Sequence, residues 1–228
     1  MMITLSQVQA FAFDLDGTLI DSIPDLAAAA NAMRQFLGMS YLPAEQIQSY
    51  VGDGIGRLVH RALTDSKEAQ AEQILWEKGF TFFMQYYSEH ITDHTIIYPD
   101  VENGLALLRS AGYPLVVITN KTEFLAVRAL KNLGLIDYFS LVIGGDTLAE
   151  KKPSALPLQH MADVLQITTE QIAMVGDSRN DILSARNAGS VAIGVSYGYE
   201  TVADYQPDCV IEQLSKLYDV LHPSEVKH

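Results

Sequence analysis

The sequence predicts an α/β fold: a parallel sheet with helices on both faces, plus an all-helical insertion after the first strand. Three observations carry this. From about residue 98 onward, short apolar runs rich in β-branched residues alternate with helical segments, at Leu115–Ile118, Leu141–Ile143, Ile172–Val175 and Val191–Val195. Such alternation means parallel strands with covering helices. An earlier apolar run, Phe11-Ala12-Phe13, breaks off into Asp14-Leu15-Asp16-Gly17-Thr18 and reads as a buried strand of the same sheet. Between these regions, residues 20 to 90 carry helical spacing and no strand signal. The expected organisation is a core of residues 1–19 and 92–228, with residues 20–91 as a helical cap.

In chain order, Asp21-Ser22-Ile23-Pro24-Asp25 starts a helix, with proline and acids where a first turn favours them. It runs to about Leu37, and Gly38 ends it. A short helix is expected from Pro43 to about Tyr50. Ile55, Leu58, Val59, Ala62 and Leu63 then recur at helical spacing, and a longer helix is expected from Lys67 to Glu89. Its aromatic residues, Trp76, Phe82, Phe83, Tyr86 and Tyr87, read as packing on a helix face. The run Gly52-Asp53-Gly54-Ile55-Gly56 lacks the spacing of a dinucleotide fingerprint, and no strand leads into it. Cys209-Val210-Ile211 reads as a last edge strand, followed by a helix to about Leu221 and a frayed tail from Pro223 to His228.

Composition narrows the function classes. Hydrophobic residues are 48% and charged residues 19% of the chain, which suits a packed globular protein and opposes widespread disorder. A formal charge of −13 opposes attraction to nucleic acid or to an anionic membrane surface. Any anionic substrate then needs local help from a metal, a lysine or a helix N-terminus. The single cysteine, Cys209, forms no internal disulfide, no Cys/His cluster has zinc spacing, and a cytoplasmic location is expected. No signal peptide or transmembrane helix is expected either.

In open α/β sheets, ligands gather beyond the carboxyl ends of the strands. The residues just past each run are therefore informative: Asp14 and Asp16, Thr119-Asn120-Lys121, Gly144-Gly145-Asp146, and Gly176-Asp177-Ser178-Arg179-Asn180-Asp181. Residues two apart on a strand share a face, so Asp14 and Asp16 can converge, and their repulsion calls for a cation or a shared proton. The assembly suits phosphoryl transfer. A phosphate monoester and an attacking carboxylate are both anionic, and Mg2+ held by hard oxygens of Asp14 and Asp177 would bridge them. Lys152 adds positive charge, Thr119 and the N–H groups near Asn120 take phosphate oxygens, and Asp16 serves as acid and base. Each residue alone has a plainer explanation as a helix cap or a solvated surface group. Their placement after successive strands of one sheet is what favours a site.

In this order, Asp14-Leu15-Asp16-Gly17-Thr18, Thr119-Asn120, Lys152-Pro153 and Gly176 to Asp181 resemble the four motifs of the haloacid dehalogenase superfamily of phosphatases, and the resemblance spans nearly the whole chain. It implies a Rossmann-like core under a mobile helical cap, and a nucleophilic Asp14 that becomes an aspartyl phosphate. It also implies Asp16 as acid/base, Thr119 and Lys152 as phosphate stabilisers, and magnesium held by Asp14, the Asp16 backbone carbonyl and Asp177, with Asp181 in support. An acid at position 16 sets dehalogenation aside. Asp21 to Leu26, Val51-Gly52-Asp53-Gly54 with Arg61-Ala62-Leu63, and Ser196 to Tyr199 are similar to the phosphoglycolate phosphatase branch. That likeness implies 2-phosphoglycolate as substrate, the Gly54 loop near its leaving group, and Arg57 as a carboxylate partner. It leaves open another phosphatase, a pyrophosphatase or a β-phosphoglucomutase of the superfamily. The partner expected is a small anionic phosphorylated metabolite, and the chain a monomer or homodimer. Two positions depart from the branch: Lys152-Pro153-Ser154-Ala155-Leu156-Pro157 lacks a second proline soon after the first, and Asp53 stands where asparagine is common. A negative charge at 53 would repel a glycolate carboxylate.

Overall fold

The computed structural model describes residues 7–221, which form two compact units; the expected fraying of the tail from Pro223 lies outside them. The chain builds one unit up to Ile20 and again from Ile97, and the other from Asp21–Ile96.

The first unit is a six-stranded parallel sheet in the order β5-β4-β1-β6-β7-β8. Its strands are β1 (Ala10–Phe13), β4 (Leu115–Ile118), β5 (Leu141–Ile143), β6 (Ile172–Gly176), β7 (Val191–Val195) and β8 (Cys209–Ile211). Its helices are α5 (Val101–Ser110), α6 (Glu123–Asn132), α7 (Leu156–Leu165), α8 (Arg179–Ala188) and α9 (Lys216–Leu221). Every residue of β1, β4, β6 and β7 is buried, which is why these strands read as continuous apolar runs instead of alternating ones. The two faces of β1 differ in size. Ala10 and Ala12 leave room for Leu158 and Met161 of α7 and Ile182 and Ala185 of α8 in one buried cluster. Phe11 and Phe13 fill the other face, Phe11 edge-on to Tyr113 at 5.3 Å and Phe13 edge-on to Phe139 at 6.3 Å.

The connectivity places the site. From β1 the chain steps outward through β4 to β5, then returns to β1's other side for β6, β7 and β8. The order reverses around β1, and the crevice at such a reversal is where α/β sheets take ligands. Phe13 is level with Val117 on one side and Val175 on the other, so the segments leaving all three strands emerge together.

The second unit is built from α1 (Ile23–Phe36), α2 (Ala44–Gln48), α3 (Ile55–Thr64) and α4 (Gln73–Glu89). Helix α1 packs against the other three, and α3 against α4. Gly79 of α4 makes the close approach possible, since a Cβ there would press on Met33 Sδ at 3.1 Å and on Leu63 at 3.2 Å. Phe83 and Tyr87 are fully buried, whereas Phe82 stacks on Phe36 and Trp76 on Phe80 along the outer side. Asp25, 1% exposed, accepts hydrogen bonds from the backbone of His94 and from the backbone and hydroxyl of Thr95, tying the start of the unit to its end.

Two expectations need correction. Helix α4 begins at Gln73, not Lys67: Asp65 turns into the left-handed region, and the Ser66 hydroxyl accepts the N–H groups of Glu68 and Ala69, so the backbone there satisfies itself as a turn. The stretch after residue 20 also holds a strand. β2 (Ile20–Asp21) pairs with β3 (Ile96–Ile97) as a two-stranded ribbon, and two residues are too few to show a period.

Candidate active site

Asp14 leaves β1 with its backbone N–H still bonded to Val175, so its side chain is aimed by the sheet itself. Asp177 directly follows β6, and Asp181 sits in the first turn of α8. Each of these three carboxylates can offer one oxygen such that all lie within 4.8 Å of one another, and all three residues are buried. Among the described residues this is the one group of three such ligands placed closely enough to share a cation. Lys152, 2% exposed, enters from the loop after β5; its Nζ is 2.8 Å from Asp14 Oδ1 and 2.6 Å from Asp181 Oδ1. The other Asp181 oxygen accepts the backbone N–H and the hydroxyl of Ser178 at 3.0 and 2.6 Å, so one side chain caps α8 and holds the lysine.

Asp177 is fixed on both oxygens, by the Thr18 hydroxyl at 3.1 Å and the Tyr199 N–H at 2.7 Å. Two glycines wall it in. A Cβ on Gly17, whose φ is +90°, or on Gly198 would overlap the Asp177 side chain. The Tyr197 hydroxyl donates to the Thr18 carbonyl at 3.0 Å and closes that side. The Asn120 amide donates to the Lys152 carbonyl at 3.0 Å, which fixes the loop carrying the lysine. Thr119 is buried, and its hydroxyl oxygen accepts the Lys121 N–H at 3.2 Å in a tight turn beyond β4. Asp146, which the strand-end reading brought to this edge, instead accepts the Glu123 N–H at 2.7 Å and caps α6.

The structure gives a partner to a residue that the sequence placed at a strand end without assigning it a role. The Nζ of Lys121 lies 2.9 and 3.0 Å from the two oxygens of Asp16, and the lysine is only 4% exposed. Its place directly after Thr119-Asn120 was the available signal, but alone it looked like any solvated lysine at a helix start.

Four carboxylates and two ammonium groups thus share one pocket, which leaves it two positive charges short when all are ionised. The acidities respond to burial first and to the crowding of the acids second. Burial pushes the Asp14 carboxyl up to about 7, against the pull of Lys152 and with added repulsion from Asp181. Burial, then Asp181 and Asp14, hold Asp177 well above the usual carboxylate range. Burial acts to lower the Lys152 ammonium, but Asp14 and Asp181 outweigh it and the net shift is upward. A divalent cation on Asp14, Asp177 and Asp181 supplies the missing charge, and an all-oxygen donor set suits a hard ion. The residues present fit such a cation.

Gly54 and Arg57 belong to the helical unit. Gly54, with φ +86°, precedes α3, and Arg57 is exposed on its first turn. The charge of Asp53 meets the helix that follows its loop: Arg61 Nη2 in α3 pairs with it at 2.6 Å, while Arg61 also donates to the carbonyls of Tyr50 and Lys67 at 2.8 and 3.0 Å. Arg61 thus gives the acid at position 53 an ion-pair partner two turns along the chain.

Fold and site together define a hydrolase class, and the chain belongs to the haloacid dehalogenase-like hydrolase family, whose profile matches residues 11–195. Among curated relatives, it is similar to the phosphoglycolate phosphatase of Neisseria gonorrhoeae (strain ATCC 700825 / FA 1090), 54% identical with 100% of this chain and 99% of that one covered. The phosphoglycolate phosphatase of Chromobacterium violaceum is 56% identical, with 95% and 98% covered. A crystal structure of a predicted phosphoglycolate phosphatase from Haemophilus somnus 129PT superposes with a TM-score of 0.88 at 30% identity, covering 96% of this chain and 99% of that one. Among the described residues, no helix is long and apolar enough to cross a membrane.

Proposed function

We propose that the protein is a magnesium-dependent phosphomonoester hydrolase that converts 2-phosphoglycolate to glycolate and phosphate through an aspartyl phosphate on Asp14. The observation that carries this reading is the buried set Asp14, Asp177 and Asp181, each offering an oxygen within 4.8 Å of the others, with Lys152 paired to Asp14 and Asp181. The names of the curated relatives support the substrate.

In this reading Asp14, the Asp16 carbonyl and Asp177 hold the magnesium ion, with Asp181 in support. When bound, the ion neutralises charge between carboxylate and phosphate and polarises the phosphoryl group. Asp14 forms a bond to phosphorus as the bond to the glycolate oxygen breaks, and Asp16 gives its proton to that oxygen. Water then attacks the phosphorus of the aspartyl phosphate, Asp16 takes a proton from it, and the bond to Asp14 breaks to release phosphate. Lys152 and the Thr119 hydroxyl bind phosphoryl oxygens, and the backbone N–H groups near Asn120 add dipoles of the same sign. Burial of the carboxylates strengthens each of these interactions over its value in water. Arg57 is assigned to the substrate carboxylate, with Gly54 allowing the loop its turn.

A panel of phosphate esters assayed with Mg2+ tests the proposal. Phosphoglycolate should give the highest kcat/KM, EDTA should abolish turnover, and added Mg2+ should restore it. Turnover that survives EDTA would remove the metal, and a preference for an ester without a carboxylate would remove the substrate.

A further inference from the structure

The two lysines of the pocket pair with three of its four acids. Lys152 serves Asp14 and Asp181, and Lys121 meets both oxygens of Asp16. Lys121 has little freedom to do otherwise. Its N–H donates to Thr119 Oγ1 at 3.2 Å and its carbonyl accepts the Gly145 N–H at 2.8 Å, so the backbone is held on both sides of the turn. A buried ammonium costs several kcal/mol without a partner, and a lone pair of this kind seldom recovers that in stability alone. Asp16, in turn, keeps a side chain 15% exposed, as a group that must reach a substrate oxygen requires. Left without its own cation, it would be driven from Asp14, two residues earlier in the chain, towards solvent.

From this we infer that Lys121 is a positioning residue: it acts on the reaction through Asp16, holding that carboxyl where it can serve the leaving-group oxygen. The inference rests on the proposed phosphatase chemistry, and it goes further in naming which step the lysine governs. Proton donation matters when the leaving group is a basic alkoxide and hardly at all when it is p-nitrophenolate. A group that works through the acid must therefore matter unequally for the two esters. A group that merely supports the fold, or binds the phosphoryl oxygens common to both, must matter equally.

The test begins with the wild type, whose Mg2+-dependent hydrolysis of p-nitrophenyl phosphate and 2-phosphoglycolate is measured first; no hydrolysis of either would defeat the proposed function itself. K121M is then compared on kcat/KM, which reports the steps up to formation of the phosphoenzyme. The loss for phosphoglycolate should exceed the loss for p-nitrophenyl phosphate by about tenfold or more, within the span that general acids supply. K121R, which can still engage both carboxylate oxygens, should bring that ratio back towards one. In a D16N background, K121M should cost nothing further. A crystal structure of metal-free K121M should show the Asp16 carboxyl in a new rotamer, with Asp14 and Lys152 still paired. Should K121M not fold, K121Q takes its place in each comparison. Equal losses on the two esters, losses that multiply in the D16N background, or an Asp16 that has not moved would each overturn the role of Lys121 while leaving the phosphatase reading standing.

Discussion

Each unit of the molecule buries acidic side chains, and the contrast between them is instructive. In the helical unit Asp25 is buried and met by three uncharged donors, while the more exposed Asp53 is met by one guanidinium. In the sheet unit four acids, Asp14, Asp16, Asp177 and Asp181, gather round two ammonium groups, those of Lys121 and Lys152, beside neutral donors from Thr18, Ser178 and Tyr199. Asp25 sits among donors that tie two ends of backbone together, which is architecture. A cluster that is short of positive charge is held together at a cost in stability, and its acidities record that cost. In the proposed function the crowded aspartates carry the chemistry, whereas Asp25 carries the fold.

The largest expected effect tests the unbalanced side. D14N should lower kcat by roughly 10⁴-fold or more, the scale on which removal of a nucleophile is felt, with the circular dichroism spectrum unchanged; activity near wild type would end the assignment. Next comes the balanced side. D25A leaves two backbone N–H groups and a hydroxyl unmet at a buried position, and should cost about 3 kcal/mol. A fall in Tm of roughly 6–12 °C would register it, and a fall below about 2 °C would show that the staple is ornamental.

The pH dependence of the metal-free protein follows from Asp14. Its folded-state pKa is raised by burial from 3.8 to about 7. The sign is therefore that of a raised acid: the stability it contributes is complete below its ordinary pKa and is lost as pH rises through about 7. Tm measured in chelator should decline between pH 5 and 8, the decline should flatten in D14N, and added Mg2+ should raise Tm more at pH 8 than at pH 5. A decline unaltered by D14N would place its origin elsewhere. The smallest effect belongs to D53N. Asp53 is 42% exposed and already paired, so its loss should cost well under about 1 kcal/mol and change KM for phosphoglycolate by less than roughly threefold. A larger improvement in KM would mean that Arg61 leaves the charge felt.

Much of this was legible in the sequence. The five later strand runs and the run before Asp14 all form strands, and in β1, β4, β6 and β7 the reason is that strands buried on both faces must be continuously apolar. The strand-end residues Asp14, Asp177 and Lys152 could be picked out because a parallel sheet collects its carboxyl ends at one edge. Other features depended on three-dimensional pairing. The two-residue strands β2 and β3 carry no period of their own. Lys121 resembles a surface lysine until its turn is folded against Asp16. Asp146 and Asp177 both come after strands, yet one caps a helix and the other joins the pocket, and only the geometry of the loops distinguishes them. The effect of Asp53 was also out of reach, since it depends on a guanidinium eight residues along that helical winding returns to the loop.

The glycine walls around Asp177 have a bearing on how this pocket can change. At positions 17 and 198 even a methyl group would collide with the Asp177 side chain unless the surroundings shifted, so substitution at either one disturbs the carboxylate before it changes anything else. Variation in reactivity must enter through the flanking tyrosines or from the far loops, and a mutational library aimed at new substrates would do well to leave both positions alone.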